Sequence, residues 1–154
     1  MMFTKTIDFP PIGQLSTQGQ RKTWEGEWLL PEFGNQAFDV LIDGEKDAPT
    51  LQQQQVLRDF MAHCGEILAW INANLPDMLN EWALPDGVVV NAENLWQNLE
   101  PDCITLDNPN NKNSYYGNTG DMLLSLGFMT PWSQDCGVQI YLRNGVIFDG
   151  IGSE

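Results

Sequence analysis

Positive charge is the scarcest chemistry in this chain. Seven lysines and arginines stand against 21 aspartates and glutamates, for a net charge of −14. Between Asp59 and Leu142 the only base is Lys112, among eleven acids. A surface of this sign repels phosphates, so neither nucleic acid nor an anionic membrane is expected as a partner. Histidine is nearly absent: His63 stands alone on a helical segment and reads as a boundary residue. No HExxH, GxSxG, phosphate-loop or dinucleotide glycine pattern occurs, so no enzyme activity and no cofactor are expected. The three cysteines, Cys64, Cys103 and Cys136, lie more than thirty residues apart and form no CxxC pair. That spacing argues against both a disulfide framework and a zinc site, and no metal is expected. Long apolar runs are missing too: nothing approaches the ~20 residues of a membrane span. Residues Met1 to Pro11 carry one lysine and no apolar core of a secretory signal. The expectation is a cytoplasmic protein with reduced, mostly buried thiols.

What the chain does have is enough apolar material for one domain. It is 154 residues long and 42% hydrophobic, with no repeat or linker dividing it. Thr4–Phe9 reads as a short strand ended by Pro10 and Pro11, and Gly13–Gln20 as a polar, turn-rich stretch. Thr23–Leu30 and Ala37–Ile42 read as strands around the Pro31–Asn35 loop, with Phe38, Val40 and Ile42 sharing one face. Thr50 with Gln53 three residues on is a capping box. The apolar positions Val56, Leu57, Phe60, Met61, Cys64, Ile67, Leu68, Ile71 and Leu75 then form one wide helical stripe. Pro76 is placed to open a second, shorter helix.

Residues Asn91–Glu100 read as a helical turn, Cys103–Leu106 as a strand, and the Asn- and Gly-rich Asp107–Gly120 as an exposed loop. Its first residues have the rhythm of a calcium loop, but Lys112 stands where glycine is needed and Asn118 where a bidentate glutamate is needed. Met122–Met129 is a further strand. Gly137–Leu142 and Val146–Ile151 form a hairpin across Asn144-Gly145. Strands, then helices, then strands predict an α+β fold: an antiparallel sheet with a long central helix and a shorter one packed on one face.

Six tryptophans stand out in an acidic chain: Trp24, Trp28, Trp70, Trp82, Trp96 and Trp132. Core packing accounts for most. Trp96 and Trp132 lie among turn-like residues and fit an interface better, since an aromatic anchor inside a charged rim is common binding chemistry.

Two stretches taken together carry a resemblance. Trp24-Glu25-Gly26 leads through Phe38-Asp39-Val40 to the glutamine-rich helix start Leu51–Gln55. Near the other end, Trp132-Ser133-Gln134-Asp135-Cys136-Gly137 runs into Val138-Gln139-Ile140-Tyr141-Leu142 and Asn144-Gly145. This resembles a bacterial domain family of unknown function in which a Trp-acidic-x-acidic-His-Gly-like segment precedes the last hairpin. Such proteins are similar to immunity proteins encoded beside polymorphic or secreted toxins. Here Ser133 stands where that family more often has an acid, and Cys136 where histidine is frequent. A structural role for the segment is therefore expected, with Trp132 packing at the sheet edge and Gly137 letting the chain turn tightly into its strand.

The resemblance implies an immunity-type protein that binds and neutralises a cognate, basic protein toxin. A general protein-binding adaptor and a carboxylate-dependent enzyme are the alternatives. The acidic, turn-rich surface expected to bind the partner comprises Trp96, Glu100, Asp102, Asp107, Asp121, Trp132 and Asp135.

Overall fold

Alternation of inward and outward side chains builds most of this protein. In a computed structural model, which describes residues 4–19, 21–82, 84–133 and 137–152, eight strands form one sheet in sequence order. They are β1 (Thr4–Phe9), β2 (Gly13–Gln18), β3 (Thr23–Trp28), β4 (Phe38–Asp43), β5 (Glu100–Leu106), β6 (Leu123–Met129), β7 (Val138–Arg143) and β8 (Ile147–Gly152). Two helices, α1 (Leu51–Ala62) and α2 (Cys64–Glu81), connect β4 to β5. The fold is α+β, with the helices covering the face that carries Trp24, Trp28, Phe38, Val40, Ile42, Leu124, Leu126 and Phe128, all buried. The Trp28 and Phe60 rings meet edge to face at 5.7 Å, and Trp70 packs on Phe148 at 4.0 Å, so helices and sheet share one core.

Three expectations change. Gly13–Gln18 is a strand rather than a turn: it pairs antiparallel with β1 from Thr4↔Gln18 to Phe9↔Gly13. Its inward residues are only Leu15 and Thr17, too few to give an apolar signal against four polar or glycine neighbours. The sheet is antiparallel at six of its seven junctions, but β4 and β5 run parallel, Asp39 opposite Cys103 and Ile42 opposite Leu106. The helical crossover between them carries the chain from the end of β4 back to the side of the sheet where β4 begins, which is what a parallel neighbour requires.

The helical stripe also breaks at His63 instead of at Pro76, so the shorter helix comes first. His63 leaves helical geometry (φ −104°, ψ 9°), and both its backbone N–H and its Nδ1–H donate to the Asp59 carbonyl. Pro76 lies inside α2 and is buried, while Met61 of the expected stripe is exposed.

The start of α1 is as expected and does more than cap. Gln53 N–H donates to Thr50 Oγ1 at 3.0 Å, and Thr50 N–H to Gln53 Oε1 at 2.8 Å. The fully buried Gln53 also donates through Nε2 to the Asp43 and Asp107 carbonyls, at 2.8 and 3.0 Å. One amide thus ties the helix start to the ends of both parallel strands. At the last hairpin Asn144 and Gly145 both have positive φ, 53° and 78°, and Val146 N–H donates to the Arg143 carbonyl at 3.2 Å, but Arg143 pairs with Ile147, so three residues join the strands instead of two.

Candidate functional site

The face of the sheet away from the helices follows from the same alternation. With Trp24 and Trp28 buried, Glu25 and Glu27 point to the other side of β3, and with Phe38 and Val40 buried, so does Asp39 on β4. Glu27 lies directly opposite Asp39 in the ladder, and Glu25 opposite Leu41. Like charges directly opposed across an antiparallel pair are destabilising. Together with Ser16 these residues line a shallow depression of about 430 Å³.

The strip extends onto β5. The pairing of β5 with β6 slips between Pro101 and Ile104, and Asp102 sits at that irregularity. Burial raises the Asp102 pKa above the ordinary aspartate range, and the negative charges of Asp39 and Glu100 raise it further. None of Glu25, Glu27, Asp39, Glu100 and Asp102 joins an ion pair among the described residues; the bridges are Lys5–Asp47, Lys22–Glu45 and Arg143–Asp121. Arg21 borders a smaller hollow shared with Glu25.

The charge of Asp102 is therefore a cost to the fold, and its pH dependence has a definite sign. A carboxyl whose folded pKa lies above the unfolded value contributes stability that is full below the unfolded value and lost as pH rises through the folded one. Asp102→Asn is expected to raise the thermal midpoint at pH 7 and leave it unchanged at pH 3. A midpoint that falls at pH 7 would show that the carboxylate is instead held by a favourable partner.

Of the residues expected to bind a partner, Glu100 and Asp102 belong to this strip. Trp96 lies beside it, in a second concavity of about 400 Å³ at the start of β5 that Glu100 also lines. Its indole packs on Phe33 and Phe128 and donates to Asn72 Oδ1 at 2.6 Å. Trp132 is half-buried against the core.

Asp107 and Asp121 lie at the opposite end of β5 and β6, about 20 Å away at the rise of a seven-residue strand. Both are engaged internally. Asp107 accepts from the backbone N–H groups of Leu123 (2.7 Å) and Tyr115 (3.1 Å). Asp121 accepts from Asn144 and Arg143, and those bonds hold its pKa below the usual aspartate range. Asp135 and Cys136, with most of the segment after Trp132, fall outside the described residues.

Glu25, Glu27 and Asp39 are the residues that a count of charge along the chain passes over. The signal for them was present: in Trp-Glu-Gly-Glu-Trp, two inward tryptophans oblige two outward glutamates. The thiol of Cys64, buried at the start of α2, is pushed up to about 12 by burial and by Glu32, which leaves it inert at neutral pH. No group of three histidine, cysteine or acidic side chains among the described residues is arranged to hold a metal ion. No helix among the described residues is long and apolar enough to cross a membrane. No family model, no curated protein and no solved structure matches this chain.

Proposed function

We propose that this protein is an immunity-type inhibitor that binds a basic protein toxin in the cytoplasm, with the helix-free face of its sheet as the docking surface. The observation that carries this reading is the unpaired acidic strip of Glu25, Glu27, Asp39, Glu100 and Asp102. Carboxylates without a counter-ion among the described residues, two of them directly opposed across the ladder, fit a counter-ion supplied by another molecule. A toxin that acts on nucleic acid presents a basic groove, and such a strip steers it and competes for that groove.

A carboxylate-dependent hydrolase is the second reading, favoured by the raised pKa of Asp102 beside Asp39. Co-expression with candidate toxins, beginning with any encoded by a neighbouring gene, tests the first. Growth rescue together with a co-purifying complex is expected; no rescue and no complex overturns it. Rescue by the Asp102→Asn protein would exclude an essential acid–base role for that residue. An adaptor would form its complex with a non-toxic partner and confer no rescue.

A further inference from the structure

The concavity of about 400 Å³ at the start of β5 carries charge of one sign, that of Glu100. Its walls include the rings of Phe33 and Trp96, the carboxamides of Gln36 and Asn98, the carboxylate of Glu100, and Thr130. Among the described residues no lysine, arginine or histidine lines it. Three donors in these walls are engaged within the chain. Trp96 Nε1–H goes to Asn72, Gln36 Nε2 to the Pro101 carbonyl at 3.0 Å, and Asn98 Nδ2 to the Asn94 carbonyl at 2.9 Å.

The groups left open include two carboxamide oxygens, one carboxylate and two aromatic rings, beside the carboxamides of Asn35 and Gln97, which can both donate and accept. The Thr130 hydroxyl, also able to do either, stands with them. That residue is 5% exposed, and its Oγ1 has no hydrogen-bond partner among the described residues. An unpaired buried hydroxyl is costly, and this one sits in the wall of a cavity.

An anion finds no positive charge here. A group rich in N–H donors, planar and positively charged matches the charge and the open acceptors: the rings by cation–π contact, the carboxylate by a charge-assisted fork, and the spare oxygens by its remaining donors. We infer that this concavity receives an arginine side chain of the basic partner. The inference rests on the reading of the protein as a binder of basic proteins and places one anchor of that interface beside the acidic strip.

The test is a nuclear magnetic resonance titration of the full chain with N-acetyl-arginine methylamide, its lysine counterpart and glucose, followed at the Trp96 indole N–H. The arginine compound is expected to give a saturable shift, the lysine compound to bind about fivefold more weakly, and glucose to give none. Glu100→Gln should weaken arginine binding about fivefold. Thr130→Val should weaken it about threefold while raising the thermal midpoint by about 3 °C, because it removes an unpaired buried hydroxyl. A hydroxyl with a purely structural role would move the midpoint alone.

No saturable shift, an equal response to glucose, or binding unaltered in both variants overturns the inference. Failure of the arginine compound with a toxin complex still formed defeats the cavity assignment alone. Arginine binding without any toxin complex defeats the functional reading and leaves the chemistry of the cavity standing.

Discussion

Gly137→Ala is expected to cost about 4 kcal/mol or more of folding stability, at the extreme of single substitutions. A β-carbon at that position would stand 1.6 Å from the Phe128 carbonyl oxygen and 2.6 Å from its carbon. Both are backbone atoms of a central strand, so no side-chain rotation relieves the clash. The requirement is for space: the β7 chain comes down onto β6 immediately before Val138 pairs with Phe128. To admit a methyl group the two strands must part, and Phe128 moves with its strand. That ring holds Phe33, Phe38 and Trp96 at 5.6 to 6.0 Å, so the disturbance reaches the concavity as well as the sheet.

Gly65→Ala is the matched control. Its added carbon meets nothing within 4 Å, and it replaces a helical glycine. It should stabilise by about 0.5–1 kcal/mol. Urea unfolding of the two variants checks both signs. A Gly137→Ala protein within about 1 kcal/mol of the parent would mean that β7 has room that its spacing from β6 denies.

The capping box at Thr50 and Gln53 and the turn at Asn144 and Gly145 belong to the part of the fold that local sequence announces, because each depends on residues within a few positions of one another. What sequence concealed depends on distant partners. β2 is a strand because β1 and β3 flank it, and the parallel junction exists because a two-helix crossover brings β5 beside β4.

The candidate site divides in the same way. A density of acids along the chain picked out Asp107 and Asp121, yet their oxygens are committed to the loop amides and to Arg143. Which carboxylates stay uncompensated is decided by hydrogen bonds between segments far apart in sequence. The strand-face argument needed only alternation. It places Glu25, Glu27 and Asp39 together although none lies in the acid-rich span.

If that face receives a basic toxin, replacing Glu25, Glu27 and Asp39 with lysine is expected to slow association on the order of 50-fold, with a smaller change in dissociation. The control is the same charge change elsewhere: Glu66, Asp77 and Glu81, all exposed on α2, replaced by lysine. At about 0.1 M salt the screening length is about 10 Å. Charges on the helical side then act weakly on a partner approaching the open face, and the control should slow association only a few-fold. At about 0.01 M salt the length grows to about 30 Å, and the two variants should converge because the whole domain acts as one charge. Stopped-flow association at both salt levels separates the possibilities. Equal slowing at the higher salt would mean that net charge, not this face, guides the encounter. A parent rate that does not change with salt would remove steering altogether and leave any affinity to the apolar and hydrogen-bonded contacts of the concavity.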